Sequence, residues 1–218
     1  MDRRVDVRDT YDRIATHFAS TREYAWPEVE SFVADAPTGE IGLDLGCGNC
    51  RHAQLLTDRV DRVLGLDVSR GLLETGRTRA TERDFAVDLL QADAATLPLA
   101  TDVVDLAVYV ATLHHLPTRE ARVASLEELA RTLAPGGRAL VSAWSTAHDK
   151  FDREKGFDTT VEWTLPGGEE VDRFYHIYAP EEFEADLAAS ALEVVDWEIS
   201  SGNCYAEVTV DRKGNSLK

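Results

Sequence analysis

The sequence predicts a Rossmann-like, doubly wound α/β fold: a mostly parallel sheet of about seven strands, with an N-terminal helical prefix and an insertion after the fifth strand. Three observations predict it. Strand-like apolar runs alternate with helix-period segments long enough for crossovers, the pattern of a parallel sheet covered on both faces. A glycine turn, Gly46-Cys47-Gly48, follows a buried strand and precedes a helix, where such sheets open a ligand crevice. An acid, Asp67, closes the next strand. At 218 residues and 44% hydrophobic content, the chain can bury one substantial core but is short for two catalytic domains. The expectation is a single domain over 1–218, with a prefix over 1–38 and a substrate-side insertion over 145–178.

Each element follows from its own pattern. Tyr11, Ile14, Ala15 and Phe18 recur at helical spacing behind the polar Asp9 and Thr10, giving an amphipathic helix expected to fold over the glycine turn. Ile41, Leu43 and Leu45 mark the first strand, Arg51 to Thr57 a helix, Arg62 to Asp67 the second strand and Arg70 to Arg79 another helix. Strands near Ala86 to Gln91 and Val103 to Val110 continue the series. Val123, Leu126, Leu129, Ala130 and Leu133 then share a helix that stops at Ala134-Pro135-Gly136-Gly137, before a strand from Arg138 to Trp144. From Ser145 to about Tyr178 the periodicity dissolves into a polar stretch with Trp163, Pro166, Gly167, Gly168 and the group RFYHIY, read as a long loop. Pro180 suits the first position of a helix carrying Phe183 and Leu187, and Leu192 to Trp197 and Tyr205 to Val210 finish as strands.

Asp and Glu number 40 against 23 Lys and Arg, for a net charge of -17. That bias resembles proteins of salt-loving microbes. It opposes a polyanionic partner in dilute buffer, yet near 1 M salt the Debye length falls to roughly 3 Å and only local contacts count. The prefix arginines Arg3, Arg4, Arg8, Arg13 and Arg22 are interspersed with Asp2, Asp6, Asp9 and Asp12, so they form no obvious RNA stripe. With no run of 18 apolar residues and a charged start, the chain is expected to be cytoplasmic and free of membrane spans. Cysteines at 47, 50 and 204 fit a reducing compartment better than a disulfide framework.

Gly46 and Gly48 allow backbone amides to approach a ligand, which makes Gly46, Cys47, Gly48 and Asn49 the candidate cradle of a nucleoside cofactor. Position 51 is Arg rather than the third glycine of G-x-G-x-x-G, so a nicotinamide dehydrogenase is disfavoured. Asp67 can accept from both hydroxyls of a ribose, with Val68 beside it; the alternative is a helix cap before Ser69. Asp93 and the backbone of Ala94 are placed beside an adenine, unless Asp93 is an ordinary loop aspartate. Asp44 can tie loop amides or the cofactor's amino group, and Val110 ends the fourth strand at the crevice. Cys47 and Cys50 have a C-x-x-C spacing, but no second pair or nearby histidine completes a tetrahedral site, so no metal is expected.

These residues resemble the class I S-adenosylmethionine-dependent methyltransferases, whose first motif reads acid-x-Gly-x-Gly-x-Gly. More narrowly, YDRIATHFASTREYAWPEV, LDLGCGNC, LHHLPTREARVASLEELARTLAPGGRALVSAW, RFYHIY and SGNCY are similar to the tRNA wobble-uridine carboxymethyl methyltransferases, from about Asp9 to Val210. Two departures stand out: the third motif glycine is Cys50, and Asn203 is followed by Cys204 where the family often has tryptophan.

The resemblance implies S-adenosyl-L-methionine as cofactor, the tRNA anticodon loop as partner, and methyl transfer to the carboxylate of 5-carboxymethyluridine. A carboxylate is already ionised at neutral pH, so no general base is needed and in-line positioning is the main requirement. Arg22 and Arg173 are expected to clamp the acid and His115 to face it, whereas a surface salt bridge for Arg22 and a core role for His115 are the alternatives. Trp26 either stacks on the uracil or anchors the prefix. His114, Tyr175, His176 and Asn203 resemble substrate-pocket positions, or else staple the insertion down. The resemblance also implies a small zinc-binding activator subunit. Two other functions stay open: a methyltransferase of small carboxylic acids or quinone-like compounds, and a regulatory module that binds the cofactor without turnover.

Overall fold

The computed structural model describes residues 3–211, with side chains from Asp6 onward; the prefix charges Asp2, Arg3 and Arg4 named above lie outside the described side chains. Strands β1 (Gly39–Leu45), β2 (Val60–Asp67), β3 (Asp88–Gln91), β4 (Val104–Val110) and β5 (Leu133–Trp144) run parallel. Two late strands, β8 (Glu193–Ser200) and β9 (Asn203–Thr209), pair antiparallel with each other, and β9 pairs antiparallel with β5. The order β3-β2-β1-β4-β5-β9-β8 gives the expected Rossmann-like sheet of seven strands. Because the order reverses between β1 and β4, their carboxyl ends bound a crevice.

Helices α1 (Arg3–Ser20), α2 (Pro27–Asp35), α3 (Ala53–Leu56), α4 (Arg70–Glu82), α5 (Arg119–Thr132) and α6 (Pro180–Ala188) surround the sheet. Pro27 and Pro180 open their helices, where the missing amide proton costs nothing. Ser69 caps α4 by accepting from Leu72 N at 3.1 Å, and Thr118 caps α5 by accepting from Ala121 N at 3.2 Å. Strand alternation divides the interior. Ala107 and Tyr109 face one layer with Leu126, Leu129 and Phe183, while Leu106 and Val108 face the other with Val29, Phe32 and Leu56.

The prefix helix packs on α4 through Tyr11, Ile14 and Ala15 against Leu72. Asp12 fastens it, since its Oδ1 accepts from Ser69 Oγ at 2.7 Å and from Gly71 N at 2.9 Å. Among the described residues no helix is long and apolar enough to cross a membrane.

Four expectations need correction. The helix foreseen behind Asp9 and Thr10 runs straight through them from Arg3. The helix after the glycine turn shrinks to one turn over Ala53–Leu56. Helix α5 ends at Thr132, and β5 begins at once at Leu133, because Leu133 pairs with Val104 and the register slips around Gly136 (φ +80) before Arg138 meets Leu106. The long loop is mostly a hairpin: β6 (Phe157–Thr164) pairs antiparallel with β7 (Glu170–Ile177) around a turn with Gly167 at φ +112 and Gly168 at φ +87. β6 sets half-buried Phe157, Thr159, Val161 and Trp163 against four exposed polar residues, and with a threonine on its inner side and no fully buried residue the strand is easily read as loop.

Candidate active site

The glycine turn is held from below and leaves its upper face open. Gly46 N and Cys47 N donate to Leu66 O at 2.7 and 3.0 Å, which ties the turn to β2. Gly46 has φ +75, and a Cβ there would overlap the Thr112 side chain, with Thr112 Cβ 2.6 Å away. Only glycine fits. Gly48 (φ +53) faces open space: among the described residues nothing lies within 4 Å of where a Cβ would stand. Cys50, at the third motif position, adopts φ +62, a left-handed conformation that costs a side-chain residue roughly 1 kcal/mol. Its sulfur fits because Gly76 of α4 has no side chain; a Cβ there would lie 2.6 Å from Cys50 Sγ.

Asp67 ends β2 with its Oδ2 accepting from Gly48 N and its Oδ1 from Ser69 N, both at 2.9 Å. Asp44 lies underneath, buried, with its Oδ2 accepting from Ala53 N at 2.8 Å. The crevice above is lined by Gly46, Cys47, Gly48, Asn49, Asp67, Val68 and Val110. It continues into a chamber walled by Asp67, Ala92, Asp93 and Ala94. An acid at the strand end, an open glycine face and an adjoining apolar chamber fit the ribose, amino-acid and adenine parts of S-adenosylmethionine. Asp44 supports this floor without lining it, and Asp93 Oδ1 accepts from Ala95 N at 2.9 Å. Asn49 also staples the end of α1 to the turn, because its Nδ2 donates to Ala19 O and Arg22 O at 3.2 and 2.8 Å.

Burial pushes the Asp44 carboxyl from 3.8 up to about 7 and Asp67 up to about 6. In the window between the ordinary and the raised value, the folded carboxyl keeps a proton that the unfolded one has lost, so stability falls as pH rises. For Asp44 the whole window amounts to on the order of 4 kcal/mol as an upper bound. Asp44→Asn is expected to keep the bond from Ala53 N and to lose much less stability than the wild type between pH 5 and pH 8; urea denaturation at both values checks it.

Beside the crevice stands a second, cationic region. A 3₁₀ turn (Leu113–His115) follows β4 and carries both histidines. His115 Nδ1 lies 3.0 Å from Phe174 O, which only accepts, so Nδ1 carries the proton and Nε2 accepts from Tyr11 OH at 2.9 Å. His114 Nδ1 accepts from Trp144 N at 3.0 Å, and its ring stacks on Tyr175 at 5.0 Å. Burial lowers His115 to about 4, and burial followed by the neighbouring His115 holds His114 well below the usual imidazole range. Both are neutral near pH 7, His115 bonded through both ring nitrogens and His114 through Nδ1. They position their neighbours.

Arg173 is 6% exposed, donates from Nη1 to Tyr175 OH at 2.7 Å, and leaves Nε without a partner. Its guanidinium lies 4.8 Å from the Trp163 ring centroid, and that of Arg22 lies 5.6 Å from the same ring and 4.8 Å from Phe18. Arg51, lowered to about 10 by burial and then by Arg22, also lines the crevice. Among the described residues no ion pair includes Arg22, Arg51 or Arg173. In a chain with 40 acids, these three guanidiniums have no described acid partner, Arg22 and Arg51 lining the crevice and Arg173 lying against Trp163 beside it.

The structure therefore brings Arg22, His114, His115, Arg173 and Tyr175 together beside the crevice, with Arg22 and His115 lining it. It keeps three other expected substrate residues away. Trp26 packs edge-on to His52 and Tyr205 with the Arg51 guanidinium 5.1 Å from its ring centroid, an anchoring position for the prefix. His176 follows Tyr175 on the strand and so faces the opposite side of β7, between Asp158 and Glu182. Asn203 stands opposite Trp144 at the start of β9 and turns its amide to Ser201 O. Tyr11, Thr112 and Trp163 went unassigned by sequence reasoning: Tyr11 carried only a helix-face signal, Trp163 lay in an apparent loop, and Thr112 gave no signal.

Residues 43–141 match the family described as a methyltransferase domain. The chain is 30% identical over 165 residues to a tRNA (carboxymethyluridine(34)-5-O)-methyltransferase of Schizosaccharomyces pombe, covering 73% of this chain and 68% of that protein. It is 33% identical over 190 residues to tRNA (carboxymethyluridine(34)-5-O)-methyltransferase ALKBH8 of Mus musculus, covering 84% of this chain but only 27% of that longer protein. Among solved structures, the complex between the Haloferax volcanii Trm112 methyltransferase activator and a methyltransferase superposes with a TM-score of 0.69 at 16% identity, covering 96% of this chain and 99% of the other.

Proposed function

The chain belongs to the S-adenosylmethionine-dependent methyltransferases, in the family of the tRNA (carboxymethyluridine(34)-5-O)-methyltransferases, and from that premise we propose that it esterifies the carboxylate of 5-carboxymethyluridine at the tRNA wobble position. The observation that carries the proposal is the pair Arg22 and Arg173, unpaired with any described acid and held against Trp163 at the rim of the cofactor crevice. S-adenosylmethionine, when bound, supplies an electrophilic methyl group. Asp67 and the Gly46–Asn49 turn hold its nucleoside end, and Arg22 and Arg173 hold the acceptor carboxylate. The acceptor is ionised at neutral pH, so no residue need remove a proton, in keeping with two histidines that are neutral and already hydrogen-bonded. His115 instead ties Tyr11 of α1 to the backbone of β7, and so sets the spacing between crevice and acceptor region.

The test is nucleoside mass spectrometry of tRNA from a strain lacking this chain. Loss of the methyl ester with a gain of free acid is expected; an unchanged nucleoside profile overturns the proposal. The net charge of -17 favours a second reading, a small carboxylic acid as acceptor. Label from tritiated cofactor entering free acids but not tRNA would select it. We further propose that a small zinc-binding activator subunit assists the chain; the Haloferax volcanii methyltransferase of the same fold is described in complex with a methyltransferase activator. Co-expression should raise methyl transfer, and full activity of the lone chain would remove the need.

A further inference from the structure

We propose that His176 is a positioning residue: as a doubly protonated imidazolium it pins the β6–β7 hairpin to α6, and the acceptor site is complete only while that second proton stays. The role in catalysis rests on the hairpin being the acceptor wall, as set out above; the latch itself does not.

His176 is buried, with Nδ1 2.8 Å from Asp158 Oδ1 and Nε2 2.9 Å from Glu182 Oε1. Ionised carboxylates only accept, and a neutral imidazole has one N–H. Only the imidazolium satisfies both contacts. Asp158 sits opposite His176 on β6, while Glu182 belongs to α6, so the ring bridges the hairpin to a helix of the main body. The surroundings complete the network. From α5, Arg122 Nη2 lies 3.4 Å from Glu182 Oε1 and Arg119 Nε donates to Asp186 Oδ1 at 2.7 Å. Asp186 of α6 also accepts from Tyr178 OH at 3.1 Å, and the Tyr178 ring meets His176 edge-on at 4.8 Å. From the 3₁₀ turn, His114, stacked on Tyr175 across β7, feels the charge of His176 and is itself neutral. Burial by itself would raise the Glu182 carboxyl, but the His176 bond and the charges of His176 and Arg122 hold it below its usual range.

The latch matters because the hairpin is a separate two-stranded sheet. Apart from the latch it meets the main body at Tyr178, which donates from N to Trp144 O at 3.0 Å and accepts at O from Thr146 N at 2.8 Å, at His115 through Phe174 O, and along α1, where Trp163 Nε1 donates to His17 Nδ1 at 3.2 Å and Arg13 pairs with Glu169; His176 is its tie to α6. Arg173 and Tyr175 project from the face of β7 opposite to His176. Loss of the second proton sets a ring lone pair against one carboxylate, loosens the hairpin and displaces Arg173. Acceptor affinity should then fall, with cofactor affinity unchanged.

Three measurements over a pH series test this. Nitrogen NMR of the ring is expected to show both nitrogens protonated where the acceptor KM is lowest, and the KM to climb as the second proton leaves, with kcat nearly constant. Asp158→Asn supplies an amide donor to the ring nitrogen that has lost its proton, so a neutral His176 satisfies both neighbours and the KM rise should vanish. His176→Gln should raise the acceptor KM about tenfold, as expected for one charge-assisted hydrogen bond. Protection of the Arg173 to Ile177 amides from hydrogen exchange should follow the ring proton in the wild type and not in Asp158→Asn. A ring already neutral where KM is lowest, or an Asp158→Asn profile identical to the wild type, overturns the latch. If no RNA is methylated but ring protonation and amide protection still move together, the function reading fails and the latch stands.

Discussion

Replacing Arg173 with glutamine is expected to lower kcat/KM for the acceptor by about 100- to 1000-fold, while the cofactor still binds with its wild-type affinity and the fold is no less stable. The first part follows from the cost of removing one partner of a buried charge pair, about 2–5 kcal/mol, when the substrate carboxylate arrives and finds no cation. The last part follows from the empty protein. Arg173 is 6% exposed, has one hydrogen bond to Tyr175 and ring contacts to Trp163 and Tyr175, and meets no described acid. A buried cation lacking a counter-ion is destabilising, so its removal relieves the fold. An arginine kept for structure would show the reverse: stability and activity would fall together. Thermal unfolding beside single-turnover methyl transfer separates the two, and a loss of several degrees in Tm with intact transfer would sink the assignment.

The second large effect is expected at Gly46. Gly46→Ala should weaken cofactor binding at least 100-fold and destabilise the protein by about 3 kcal/mol, the sum of a left-handed backbone strain and an overpacked contact. The added Cβ would collide with Thr112, so the β4 end and the 3₁₀ turn bearing His114 and His115 must move away from β1. Thr112→Gly in the Gly46→Ala background should recover the packing part but not the backbone part. Calorimetric titration of S-adenosylmethionine in multimolar KCl, with urea melts of the same proteins, reads both. By contrast Gly48, whose Cβ would meet nothing, should tolerate alanine with a loss of about 1 kcal/mol in stability.

The glycine turn and the acid beside it could be placed from the chain because they are local. Asp44 to Cys50 is a single passage from strand into turn, and Asp67 ends the next strand, so periodicity and two glycines fix where they lie. The same logic located the strands of the parallel sheet, each a compact apolar run. Errors arose where polarity masked a period, as in β6, or where a turn signal belonged to a bulge, as at Gly136 and Gly137 beside Val104.

The acceptor half was named from resemblance but not built, for its contacts join distant segments. Tyr11 meets His115 across 104 residues and Trp163 meets His17 across 146. No local pattern tells which of Arg22, Arg51 and the other arginines lacks an acid, nor that Trp26 is pinned while Trp163 is shared by two guanidiniums. His176 illustrates the limit: the motif put it beside Tyr175, and strand alternation sent it to the other face, between two carboxylates.

By itself, then, the sequence determined the doubly wound sheet, the glycine turn and the acid that closes the second strand, since backbone period and conformational freedom are written residue by residue. Tertiary structure alone decided which cations stand unpaired, which imidazoles are neutral and which side of the hairpin faces the crevice. Those properties come from burial and from electrostatic neighbours, and neighbours are settled only when distant segments pack together.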